Sequence, residues 1–145
     1  MPVREDTFSL TEPVTTRPAD LELVLPARPD NVAVVRHVLG GLGEALGLDP
    51  RGVADLRLAV SEACTNVVVH AYDSPEEQLE VEASIDGALL NVTVRDHGRG
   101  LAPRTDSPGL GLGLPIAKAV TSSLELGESP AGNEVRMTFV VPDGG

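Results

Sequence analysis

Leu79-Glu80-Val81-Glu82-Ala83-Ser84-Ile85-Asp86-Gly87-Ala88-Leu89-Leu90-Asn91-Val92-Thr93-Val94-Arg95-Asp96 decides the fold. Leu79, Val81, Ala83 and Ile85 alternate with polar residues, and so do Leu90, Val92 and Val94. A period of two on both sides of Asp86-Gly87 predicts two half-buried antiparallel strands joined by a tight turn. Asp96 continues the apolar row of the second strand, so its side chain should face the same way as Leu90, Val92 and Val94. A carboxylate turned toward a core is costly unless a donor meets it. Arg99 or a backbone amide would be a structural donor; the exocyclic amine of adenine would be a functional one. Gly98 and Gly100 follow directly and would let the backbone pass close to a flat base.

Upstream, Leu21, Leu23 and Leu25 mark a short strand near 21–26. Asp30 begins a helical pattern through Val32, Val35, Leu39, Leu42 and Leu46, whose end Gly40, Gly41 and Gly43 weaken. Asp49-Pro50 pairs a capping carboxylate with a proline at the first helical position. The helix it opens should run to about Tyr72, with Val53, Leu56, Val60, Ala63, Cys64, Val67 and Ala71 as its apolar stripe, and stop at Asp73-Ser74-Pro75. Downstream, a loop with Pro103, Asp106 and Pro108 leads to the glycine run Gly109-Leu110-Gly111-Leu112-Gly113-Leu114, a helix near 113–121, and strands near 123–128 and 134–141. Val135, Met137, Phe139 and Val141 should face one way. The order βααββαββ, rich in hairpins, predicts an α+β two-layer sandwich: a mixed, mostly antiparallel sheet with helices on one face. Residues 1–19 read as a mobile tail, and 20–142 as one domain.

The 145 residues carry a formal charge of −11, one Tyr, two Phe and no Trp. This balance excludes non-specific binding to nucleic acid or anionic membranes, which needs cationic patches. The lone Cys64 excludes an intrachain disulfide and a cysteine cluster for zinc. No signal peptide and no bilayer-spanning apolar run is visible, so a cytoplasmic protein is expected.

Two further motifs carry chemistry. Glu62, Asn66 and His70 recur every fourth residue and so span about 80° of one side of their helix. A solvated face is one reading, with His70 merely favouring the helix C-terminal dipole. Ala59 and Val69 among these polar groups instead suggest a half-apolar pocket wall. Glu62 could then take a proton from an attacking hydroxyl, and Asn66 could offer a hard oxygen to Mg²⁺. The glycine run is either a hinge or an anion site built from backbone amides at a helix N-terminus. No Lys-Ser/Thr follows its last glycine, so it is not a P-loop. Arg104 and Lys118 are the nearby cations, and Arg104, on the loop, is better placed for a phosphate.

In this order the motifs resemble the GHKL ATPases, built on the Bergerat fold, across about residues 20–141. Ser61-Glu62-Ala63-Cys64-Thr65-Asn66-Val67-Val68-Val69-His70-Ala71-Tyr72 is most similar to the anti-sigma-factor serine/threonine kinases of bacterial partner-switching systems. Histidine kinases also need an upstream dimerisation helix with a phospho-accepting His, and no such segment is expected in the short stretch before the first strand. The resemblance implies Glu62 as general base, Asn66 as ligand of Mg²⁺, and Asp96 as the adenine reader beside Gly98 and Gly100. It implies a lid over 101–110 and a wider ATP-binding set of His70, Arg104, Gly109, Gly111, Leu112 and Gly113. The implied partners are an anti-anti-sigma factor as phospho-acceptor and a sigma factor, with the kinase a homodimer. The chain departs from the family pattern twice. Ser107-Pro108-Gly109 stands where some of these kinases carry an arginine, and Gly132-Asn133-Glu134 replaces the usual Gly-Thr opening of the last strand. A weakly active or non-catalytic ATP-binding interaction module is therefore the alternative; a bare metabolic ATPase would release phosphate without a partner.

Overall fold

The computed structural model describes residues 19–70, 77–96, 110–129 and 132–142. Their elements follow the expected order: β1 (Leu21–Pro26), α1 (Pro29–Ala45), α2 (Pro50–His70), β2 (Gln78–Asp86), β3 (Leu89–Asp96), α3 (Leu110–Ala119), β4 (Ser123–Ser129) and β5 (Gly132–Val140). The tail 1–18, the helix stop at Asp73-Ser74-Pro75 and the loop 97–109 lie outside the described residues.

Local chemistry accounts for most boundaries. Helix α1 starts one residue before Asp30, with Pro29 in its first turn after an extended Arg28, because a proline needs no hydrogen-bonded N–H there. Asp49 caps α2 as expected: the Gly52 N–H donates to Asp49 Oδ1 at 2.8 Å. The β2–β3 turn sits one residue later than expected. Asp86 still pairs with Leu89, and Gly87 takes φ +63° in the two-residue loop Gly87-Ala88. Helix α3 begins at Leu110, three residues earlier than expected, so Gly111 and Gly113 lie inside its first turn. Amides of a first turn have no intrahelical acceptor, and Pro115 lies inside the helix just beyond that turn.

The sheet order is β1-β2-β3-β5-β4. All four ladders are antiparallel, which narrows the expected mixed sheet. β3 and β4 do run parallel, as a crossover through α3 requires, but β5 inserts between them. The three helices cover one face. Val35, Leu39, Leu56, Val60, Ala63, Val67, Leu79, Val81, Leu90, Val92, Val94, Met137 and Phe139 form the core between the layers. Val135 and Val141 join the inward row of β5 as expected. Burial pushes the Cys64 thiol up to about 12, so it packs and does not act as a nucleophile.

The helix α1 continues through its glycines to Ala45, and two of them serve packing. Gly40 and Gly43 are buried and let α2 approach, with Arg57 over Gly40 and Leu56 against Gly43. A Cβ on Gly43 would lie 2.8 Å from Leu56 Cδ2 and 3.1 Å from Leu48 Cδ1, whereas one on Gly41 would meet nothing within 4 Å. Gly41→Ala should therefore raise stability by up to about 1 kcal/mol through helix propensity. Gly43→Ala should lower it by about 1–3 kcal/mol through overpacking. Thermal unfolding of the two variants should move in opposite directions; a rise for both would mean that the α1–α2 contact is loose.

Candidate nucleotide-binding site

The candidate site draws its residues from α2, the start of α3 and the end of β3, with α2 packed on both α3 and β3. Asp96 closes β3, opposite Leu79 of β2. Strand alternation turns it inward, and it is 4% exposed, the one buried charged residue among the described residues. The Asn133 backbone N–H donates to Asp96 Oδ1 at 3.2 Å, so the backbone-amide donor envisaged from the sequence is present. A carboxylate has two oxygens and several lone pairs, and so can receive a ligand's amine beside that amide. Arg95, its neighbour, points to the other face.

On α2, each residue turns about 100° around the axis. Arg57 lies against Gly40 of α1, which assigns that shoulder of α2 to the α1 contact. Ala59, Asn66 and the backbone position of His70 lie on the opposite shoulder, about 140° or more from Arg57. Helix α3 packs on α2, and α1 already occupies the first shoulder. Asn66 is half-buried, and so is Glu62, which lies further round, away from the sheet. Ala59 is fully buried, so it belongs to the core and not to the pocket wall expected from its sequence position. Val69 is exposed as expected.

The two helices are antiparallel. One cleft is lined by Gly52 and Asp55 of α2 together with Ala119, Val120, Thr121 and Ser122 at the end of α3. The nine residues from Ala119 back to Leu110 cover about 14 Å at 1.5 Å per residue. The same distance along α2 leads from Asp55 to a point between Glu62 and Asn66. The orphan amides of 110–113 thus reach the half of α2 that carries the polar face. Gly111, Leu112 and Gly113 are placed there as backbone; their side-chain surroundings, like that of His70, lie outside the described residues. So do Gly98, Gly100, Arg104 and Gly109 altogether.

Sequence reasoning missed a cluster on the opposite side of the sheet. Arg95 Nε donates to Glu134 Oε1 at 3.1 Å, and Nη1 donates to Glu80 Oε1 at 3.1 Å and Glu82 Oε2 at 3.4 Å. Partial burial disfavours the guanidinium charge, but the bonds from Glu134 and Glu80 and the charge of Glu82 outweigh it and raise the Arg95 pKa. Among the described residues there is no group of His, Cys, Asp and Glu able to hold a metal unaided. None of their helices is long and apolar enough to cross a membrane.

A buried carboxylate at a sheet end, a half-buried carboxamide on α2 and an α3 start level with it along that helix are parts that an ATP-binding domain of the two-layer type would use. The family model described as the histidine kinase-like ATPase domain matches residues 25–139. The chain belongs to that family, within the group of the RsbW serine-protein kinases. It is 33% identical over 134 residues to the serine-protein kinase RsbW of Bacillus velezensis, covering 81% of this chain and 83% of that one. The Bacillus pumilus protein of the same name is 30% identical over 136 residues, with the same coverages. The crystal structure of the RsbU and RsbW domains of Rv1364c from Mycobacterium tuberculosis superposes with a TM-score of 0.67 at 25% identity. That match covers 88% of this chain and 33% of the mycobacterial one.

Proposed function

We propose that this chain is an ATP-dependent serine/threonine protein kinase that acts as an anti-sigma factor. It phosphorylates an anti-anti-sigma partner and, when free of that partner, sequesters a sigma factor. The observation that carries the kinase reading is the setting of Glu62. It stands one helical turn before Asn66 but on a more outward line of α2, flanked by Leu58 and Val69, which are 38% and 41% exposed. A base on that line can be reached by a hydroxyl borne on a protein. A base meant for water alone has no need of such access.

Within this reading, Asp96 accepts the adenine amine, with Gly98 and Gly100 making room for the base. The amides of 110–113, with Gly109 leading into them and Arg104 on the loop, hold the phosphates against a chain whose overall charge is −11. His70 and Leu112 complete the ATP-binding set that the family resemblance implies. The donor set suits Mg²⁺ carried in with phosphates: Asn66 offers one hard oxygen, and such ions take few protein ligands when phosphates supply the rest. Bound Mg²⁺ would neutralise phosphate charge. Glu62 takes the proton of the acceptor hydroxyl as its oxygen attacks the γ-phosphorus of ATP, the bond to the β–γ bridging oxygen breaks and ADP leaves; the protein's contribution is otherwise positioning. A cytoplasmic homodimer is the state the family resemblance suggests.

The test is incubation of the full chain with γ-labelled ATP and Mg²⁺ together with an anti-anti-sigma protein from the same organism. Label should appear on a Ser or Thr of that partner, with little free phosphate in its absence. ATP binding without transfer to any cognate partner would leave a nucleotide-dependent interaction module instead.

A further inference from the structure

The β3–β5 ladder ends at the pair Arg95↔Glu134. Beyond that rung β5 stays paired with β4 through Glu128↔Asn133 and Ser129↔Gly132, while its link to β3 passes to the Asn133 N–H on Asp96. The distance from that amide to the carboxylate therefore depends on the last rung remaining closed. Side chains on the outer face close it. Arg95 Nε bonds Glu134 across the rung at 3.1 Å, and Nη1 ties the other side of β3 to Glu80 of β2. Arg136 Nε, 3.5 Å from Glu134 Oε2, grips the same carboxylate from along β5. Arg95 thus supplies, from the strand between β2 and β5, a cation shared by Glu80, Glu82 and Glu134.

We propose that Arg95 is a positioning residue for base recognition: strapping β3 to Glu134 on the outer face fixes Asp96 and the Asn133 amide in the geometry that reads adenine on the inner face. This rests on the nucleotide reading of Asp96 given above. Arg95 touches no substrate, so its removal acts on base selectivity and not on the phosphate contacts made by α3. A merely stabilising ion-pair cluster would weaken ATP and GTP binding alike, in proportion to the unfolded fraction.

The experiment measures ATP and GTP affinity of the full chain by equilibrium dialysis, with thermal unfolding of each protein alongside. Wild type should prefer ATP. Arg95→Met should lose about tenfold in ATP affinity, the worth of a weakened charge-assisted bond, with GTP affinity unchanged. Arg95→Lys should restore part of the preference. Glu134→Gln, which opens the same rung and keeps the β2 side paired, should lose preference too; Glu80→Gln should not. If Arg95→Met does not fold, the Glu134→Gln and Glu80→Gln pair decides. Should wild type prefer ATP while folded Arg95→Met or Glu134→Gln retains that preference, the positioning role is overturned and the nucleotide reading stands. Equal wild-type affinity for ATP and GTP overturns the adenine reading of Asp96, and the inference with it.

Discussion

Asp96→Asn should weaken ATP binding by about ten- to 150-fold, the range expected when a hydrogen bond to a charged group is worth about 1.5–3 kcal/mol. The substitution keeps volume and shape, so the loss comes from hydrogen-bond polarity. A carboxylate presents two acceptor oxygens; a carboxamide presents one acceptor and one donor. The Asn133 N–H already faces Oδ1 at 3.2 Å. If the amide oxygen of Asn takes that position, its NH₂ group is left facing the adenine amine, donor against donor. Flipping the amide turns the NH₂ group on the Asn133 N–H instead. The fold should tolerate the change better than the ligand does, because it removes a charge from a position only 4% exposed. Calorimetric titration with ATP measures the effect, and a thermal melt separates it from unfolding. Unchanged affinity in a folded variant would make Asp96 a structural carboxylate.

That residue was legible because strand alternation is a strict, local rule. Every second position from Leu90 faces the helices, so Asp96 had to follow. The capping of α2 by Asp49 was legible for the same reason, since the signal lies within four residues of the helix start. What depended on a distant partner was not. Gly40 and Gly43 look like helix weakeners until α2 is brought against them, and Ala59 looks like part of a polar face until the packed helices enclose it. Leu110 and Gly111 look like the end of a loop, because propensity rules describe helix interiors and not a first turn whose amides need no internal acceptor. Arg95 and Glu134 are 39 residues apart; only the ladder makes them neighbours. That the α3 start is level with the stretch of α2 between Glu62 and Asn66 likewise follows from antiparallel packing, which neither motif encodes alone.

Replacing Glu62 should separate binding from chemistry. Glu62→Gln is expected to lower phosphotransfer to the partner by about 10²–10⁴-fold, the usual contribution of a positioned general base, while ATP affinity stays within about threefold of wild type. In the proposed site, adenine selection falls to Asp96 at the sheet end and the phosphate contacts to backbone amides of α3, so neither would require this carboxylate. Stability should change by no more than about 0.5 kcal/mol, because Glu62 is half-buried on the outward line of α2 and fills no core position. Gln keeps the shape and can still accept a hydrogen bond, but it cannot carry the proton away. Glu62→Ala should show a similar loss, since removing the base matters more than removing its bulk. Single-turnover label transfer from γ-labelled ATP, with saturating partner, measures the chemical step without product release. Wild-type transfer by Glu62→Gln would mean that another group or the phosphate itself takes the proton. A parallel collapse of ATP affinity would make Glu62 a nucleotide ligand and leave the base unassigned. Full binding with transfer lost is the outcome in which Glu62 supplies proton transfer and the rest of the site supplies the nucleotide.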